Sequence, residues 1–330
     1  SFFFFSNFKI QGIEHLSVKS RDGKPGAPTP VPVKVSQPVV APQPAPLADP
    51  PPGDTRKVQG PIRIATVNLG PLDQTKLDNR GVARHLVDLV QSYAIVAIQD
   101  VRDRNQSVLA NLVDKANAKN GKYDFVVPTY LGREPVERYS AFVFDGSLVE
   151  IDRSKVFSVE DPHSRLLRRP LVATFRARGP KPEEAFTFTL VNVHVESTRA
   201  ATEVDVLADV FRVVRDDGYG EDDVILLGDL QSNVENLGRL ALIPNLTWAI
   251  SSVSTTTRGT RMVDNLLFDA RATSEFTGRS GVMDLMTEFE VSMREAIEIS
   301  DHLPVWAEFD VYEGGGGGHM AGIQPVGSTR

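Results

Sequence analysis

Four largely apolar runs that each stop on a polar residue constrain this chain more than any other feature. Residues 62–67 run into Asn68, residues 95–98 into Gln99 and Asp100, residues 188–193 into His194, and residues 224–227 into Gly228 and Asp229. Near the end, Ser300, Asp301 and His302 adjoin a further strand-like run, residues 303–309. Short runs rich in Val, Ile, Leu and Phe read as buried strands. The expectation is that each polar group sits at the C-terminal tip of a strand and that the tips converge on one sheet edge. Such an edge holds carboxylates, an amide and two imidazoles around a single small group.

Helical patterns interrupt the strands. Asp78 or Asn79 caps a helix with Val82, Leu86, Val87, Leu89 and Val90 on one face. Asn105 begins a second with Val108, Leu109, Leu112 and Val113, and Thr198 a third with Val204, Leu207, Val210 and Phe211. Residues 140–145, 171–176, 186–195 and 264–268, rich in Val, Phe, Leu and Thr, read as strands. Many strands with a few helices outside them predict an α/β fold, a four-layer sandwich of two packed, mainly antiparallel β-sheets flanked by helices.

With 41% hydrophobic residues, the 330-residue chain has material for a core of ordinary size. Its 36 Lys and Arg against 43 Asp and Glu give a formal charge of −7. The bulk field therefore does not attract nucleic acid, and a phosphate-bearing partner must be held locally by a metal or a few arginines. Absence of cysteine excludes disulfides, thiolate catalysis and zinc–thiolate sites, and leaves the compartment open.

The ends read differently from the middle. Phe2 to Phe5 are too few to span a bilayer, which needs ~20 apolar residues. They read equally well as the outer end of a removed signal or anchor and as a strand packed on something. Half of the chain's 22 prolines fall between Pro25 and Pro52, a composition that favours an extended polyproline spacer. The expected division is residues 1–24 as an aromatic segment, 25–60 as a Pro-rich linker, 61–312 as the globular domain and 313–330 as a Gly-rich flexible tail. A tether of this kind suggests an extracytoplasmic setting, secreted, periplasmic or held at a membrane by the N-terminus. Nothing in the sequence singles out a protein partner.

Eight motifs, in order, carry a resemblance: TVNLG, IVAIQDVRD, LGREPVERY, RRPLV, LVNVHVES, ILLGDLQSN, MVDNLLF and ISDHLPVW. Together they cover nearly the whole globular region. The chain resembles the endonuclease/exonuclease/phosphatase superfamily, and most of all its deoxyribonuclease I branch. That resemblance implies that His194 and His302 flank a scissile phosphate, with Glu137 pairing His194 and Asp264 pairing His302. It implies further that Asn68, Asp100 and Asp301 surround a divalent cation, magnesium or manganese, and that Asp229 orients or activates the attacking water. Arg102 matches an arginine laid in the DNA minor groove, and Arg168 one on the phosphate face. Arg102 reads as readily as a solvated charge. The Ser- and Thr-rich stretch 251–261, with Arg258 and Arg261, reads as a polar loop or as a phosphate contact.

Two positions depart from the family pattern. Asp100 stands where the family has glutamate, and Gln231 where it has the asparagine near the phosphate. One carboxylate is thus a methylene short and one amide a methylene long, against a cation that demands near-octahedral oxygen at about 2.0–2.1 Å. The sequence therefore supports a metal-dependent phosphodiesterase acting on DNA with little sequence preference. It leaves open a catalytically impaired relative serving as a binding or structural module, and a phosphomonoesterase or phospholipid phosphodiesterase.

Overall fold

The β-branched and aromatic runs build two sheets. In the first, strands β1 (Lys34–Val35), β6 (Val149–Glu160), β7 (Leu171–Ala177), β8 (Thr187–His194), β9 (Val224–Asp229), β11 (Asp264–Asp269) and β10 (Leu246–Trp248) lie side by side in that order. In the second the order is β12 (Phe276–Val282), β13 (Val305–Phe309), β2 (Ile62–Leu72), β3 (Ile95–Val101), β5 (Tyr139–Asp145) and β4 (Tyr123–Val126). These elements come from a computed structural model that describes residues 34–35, 60–103, 107–118, 120–129, 138–217 and 220–315. The aromatic segment, all but two residues of the polyproline stretch and most of the Gly-rich tail lie outside the described residues.

Neighbouring strands are antiparallel except for two pairs, β2 with β3 and β8 with β9. Those two parallel pairs matter most for the site. They bring the C-terminal ends of four strands to one rim, with His194 in register with Asp229 and Asn68 in register with Gln99.

The layers follow from which faces are apolar. Between the sheets lies an aromatic ladder: Phe142 and Phe144 pack edge-on against Phe175, which stacks on Phe188, and Phe186 links Phe188 to Phe309. Helices α2 (Arg80–Gln91) and α3 (Ser107–Asn117) cover the outer face of the second sheet, and α4 (Ala200–Arg215) covers that of the first. Central strands are therefore buried on both faces, as in β3, every residue of which is buried. Beneath the rim a polar bridge joins the sheets. Gln99 donates to Thr66 Oγ1 at 2.9 Å and to Asn192 Oδ1 at 2.7 Å, while Asn192 donates to the carbonyls of Ile98 and Ala141.

Helix starts are set by side chains accepting from free backbone N–H groups. Asn79 caps α2, as expected, and Asp73 caps a short preceding helix α1 (Gln74–Asp78) that the sequence did not announce. Asp103 accepts from the Val108 amide at the start of the described part of α3, and Asn105 lies outside the described residues. A 3-10 turn, Ser197–Arg199, leads into α4.

One expectation is corrected. Asp301 and His302 do not end a strand; they precede β13, and Asp264 is the first residue of β11. Both strands run antiparallel to neighbours whose C-terminal ends form the rim, β13 against β2 and β11 against β9. Their beginnings therefore arrive where those neighbours end. Two short helices, α5 (Leu285–Phe289) and α6 (Met293–Ile299), deliver the chain to Ser300. Among the described residues no helix is long and apolar enough to cross a membrane.

Candidate active site

Asn68, Asp100, His194, Asp229, Asp301 and His302 line one cleft of about 280 Å³, together with Gln231, Arg102 and Arg168. Gly228 makes the approach of β8 and β9 possible. It sits at φ +146°, and a Cβ there would lie 2.0 Å from the Val193 carbonyl oxygen, so no side chain fits. Asp264 stands behind His302 and is fully buried. Glu137 lies outside the described residues.

Asp229 is the hub. Its Oδ2 accepts from Asn68 Nδ2 at 2.9 Å and from Gln231 Nε2 at 3.0 Å, while Oδ1 accepts from the Gln231 amide at 3.0 Å. The same Oδ2 is 3.9 Å from Nε2 of both His194 and His302. Burial, then the nearby Asp264 carboxylate, pushes the Asp229 pKa up; the two imidazoles and the Asn68 hydrogen bond oppose the shift.

The two histidines are driven apart. Burial works against charge on His302, but Asp264, with its ring hydrogen bond, and then Asp229 and Asp301 outweigh it and raise the pKa to about 9. His302 Nδ1 lies 2.9 Å from Asp264 Oδ2. His194 goes the other way, to about 4, through burial and the Arg168 guanidinium, helped by His302 and Arg138 and opposed by Asp229. At neutral pH the cleft therefore holds one imidazolium and one neutral imidazole. Asn68 Nδ2 lies 3.4 Å from His194 Nε2, which in the assigned amide orientation makes that nitrogen the acceptor and leaves the proton on Nδ1. Nδ1 is buried and has no hydrogen-bond partner among the described residues.

Asp100 has unexpected company. Asp100 sits at φ +60°, a region where aspartate is enriched among non-glycine residues. Its carboxylate takes two hydrogen bonds from Arg102, at 3.1 and 2.9 Å, and Arg138 lies 3.5 Å away. Arg102 is thus engaged with Asp100 within the cleft. Lys76, on α1, reaches the Leu69 carbonyl; burial lowers its pKa to about 8 against the pull of Asp301, Asp73 and Asp100. Asn68, Asp100 and Asp301 offer only oxygen donors, the chemistry that suits a hard divalent cation, and an ionised carboxylate has lone pairs beyond those Arg102 occupies.

Arg168 donates to Glu196 Oε2 at 2.9 Å, and both line the cleft. The 251–261 loop also packs inward. Thr255 and Thr257 are buried: Thr255 Oγ1 donates to Asp264 Oδ2 at 2.7 Å, and Thr257 Oγ1 to the Ser300 carbonyl at 2.7 Å. The loop holds the carboxylate that holds His302. Arg261 donates to Gln231 Oε1 at 3.0 Å, fixing the amide that braces Asp229. Lys76, Arg138, Glu196, Thr255 and Thr257 were not singled out from the sequence. Arg138, inside the ERY motif beside Glu137, and Glu196, two residues after His194 in LVNVHVES, lay in motifs that pointed here, and Thr255 and Thr257 in the 251–261 stretch.

A two-sheet sandwich with paired imidazoles, carboxylates and an amide at one rim is consistent with the endonuclease/exonuclease/phosphatase superfamily in its deoxyribonuclease I-like form, and the chain is similar to members of that branch. Its relatives in sequence are deoxyribonucleases. It is 28% identical to deoxyribonuclease-1 of Mus musculus over 264 residues, covering 76% of this chain and 92% of that one. It is 24% identical to deoxyribonuclease gamma of Rattus norvegicus over 261 residues, 74% of this chain and 83% of the other. Among solved structures the D. rerio TDP2 complex with single-strand DNA product superposes with a TM-score of 0.55 at 15% identity, over 76% of this chain and 99% of that one, a likeness of fold. No family model matches the chain.

Proposed function

We propose that this protein is a metal-dependent phosphodiesterase that hydrolyses DNA as an endonuclease with little sequence preference. The observation that carries the proposal is the pair of imidazoles, each 3.9 Å from one buried Asp229 oxygen, whose surroundings drive the His302 pKa up and the His194 pKa down. Two titrating groups pushed apart by their surroundings is how one site runs acid and base chemistry at the same pH. The sequence relatives, named as deoxyribonucleases, supply the substrate class.

In the proposed reaction Asp229, whose raised pKa suits a base, takes a proton from the attacking water as the new P–O bond forms. His302, kept cationic by Asp264, donates to the phosphate and supplies the proton the leaving oxygen needs as its P–O bond breaks. His194 and Asn68 fix Asp229 and the phosphate from the other side, and Arg168 adds positive charge at the cleft wall. A magnesium or manganese ion at Asn68, Asp100 and Asp301 would neutralise charge on the phosphate oxygens. An extracytoplasmic location belongs to the same proposal and is checked by cell fractionation.

One observation favours the impaired-module reading: both Asp100 oxygens are engaged by Arg102, with Arg138 alongside. Plasmid nicking decides between them. The expected result is cleavage that needs added magnesium or manganese and stops in excess EDTA. Full-rate nicking in EDTA refutes the mechanism, no nicking with either metal favours the module, and turnover of a phosphomonoester or phospholipid but not DNA favours the remaining reading.

A further inference from the structure

We propose that Asp223, Glu275 and Glu313 form a second cation site, suited to calcium, at the end of the sandwich opposite the cleft. Asp223 immediately precedes β9, which ends at Asp229, and six residues at ~3.3 Å each put the two sites about 20 Å apart. Glu275 immediately precedes β12, and Glu313 follows β13. One carboxylate oxygen from each lies within 4.8 Å of the others. Oxygens bound to one calcium ion at about 2.3–2.6 Å have that spacing.

The cluster is more than surface acidity. Asp223 is 1% exposed and Glu275 2%, yet Asp223 Oδ1 and Glu275 Oε2 have no hydrogen-bond partner among the described residues. Thr273, also buried, lies beside Asp223. The other edges of these carboxylates are anchored: Glu275 Oε1 accepts from the Gly314 amide at 2.6 Å, and Glu313 Oε2 from the Thr187 amide at 3.1 Å. Glu275 and Glu313 are thus pinned, while Asp223 Oδ1 and Glu275 Oε2 are left bare. A buried carboxylate without a partner is costly, and a dication removes that cost.

Calcium fits better than magnesium because the donors come from three separate chain segments with one open side, at Glu313. Calcium takes six to eight oxygens in irregular geometry, whereas magnesium demands a near-ideal octahedron. The ion would clamp the start of β9, in the first sheet, to the segments that precede β12 and follow β13 in the second.

The test is thermal unfolding of the full chain against calcium, with calorimetric binding, at pH 8 and pH 5. In the wild type and in Asp301→Asn, which weakens the cleft site, calcium a hundredfold above its dissociation constant should raise Tm by about 5–10 °C at pH 8. The rise should be smaller at pH 5 and absent in Asp223→Asn/Glu275→Gln. Glu313→Gln, an exposed position that leaves the fold intact, should weaken calcium binding at least tenfold. An equal calcium shift in the double variant, or unchanged affinity in Glu313→Gln, overturns the site. So does a wild type without a calcium response beside a double variant stabilised at pH 8, which would mean that the carboxyls simply hold protons.

Discussion

Replacing Asp264 with asparagine keeps the shape behind His302 and removes the charge that holds its proton. In the intact site the His302 pKa is raised to about 9. Against an ordinary value of about 6.5 that is worth roughly 3 kcal/mol of preference for the imidazolium. Burial, the largest single influence on this ring, opposes the charge, so Asp264→Asn should return the pKa to about 6.5 or below. At pH 7.5 the protonated fraction then falls from roughly 97% to about 10%, a tenfold loss of kcat/KM from protonation alone. The loss should shrink towards pH 5, where both forms are charged. Stability follows the same sign: a raised histidine pKa contributes fully below about 6.5 and is lost as pH rises through about 9, and the variant lacks that contribution. The assays are the pH dependence of kcat/KM for DNA cleavage and the imidazole titration followed by NMR. An alkaline limb at the same pH in both proteins, or a wild-type His302 neutral at pH 7.5, refutes the reasoning.

Asp100→Glu and Gln231→Asn together should raise magnesium-dependent nicking by more than the product of the single changes, because both groups bear on one phosphate–cation assembly. A wild type already as fast as the double variant means that the shorter carboxylate suffices. Thr255→Val removes the donor to Asp264 and orphans the Val263 and Asp264 amides, at a cost of about 1–3 kcal/mol per buried group, read as a lower Tm and a lower His302 pKa. A variant that matches the wild type in both readings removes Thr255 from the site. Deleting residues 1–55 takes away the two-residue β1 and its pairing with Glu160 and Val159, and should lower Tm by less than about 4 °C with nicking retained. A larger fall assigns the N-terminal segment a packed role.

The strands that carry Asn68, Asp100, His194 and Asp229 were legible because buried strands leave continuous apolar runs and their ends are marked by polarity. The direction of approach of Asp264 and His302 was not, since a strand's start and end look alike until its antiparallel neighbour is known. Lys76 reads as an ordinary surface lysine; only the Asp73 cap that turns α1 back on β2 brings it beside Asp301 and Asp100. Thr255 reads as one of several loop hydroxyls, and its burial depends on the bridge between Thr256 and His302, two segments far apart in sequence. The shorter Asp100 was read as a loss of reach. Its backbone at φ +60° and its Arg102 partner supply a local reason for aspartate there that side-chain length alone does not reveal.

The proposed chemistry depends on His194 and His302 acting as one unit across Asp229. The most direct measurement is kcat/KM for DNA cleavage with saturating magnesium or manganese in the wild type, His194→Ala, His302→Ala and the double variant. Each single change is expected to cost several orders of magnitude, and the double little more than either one, because groups that serve one transition state do not contribute additively. Losses that multiply in the double variant, or a single variant that cleaves at the wild-type rate, would contradict it.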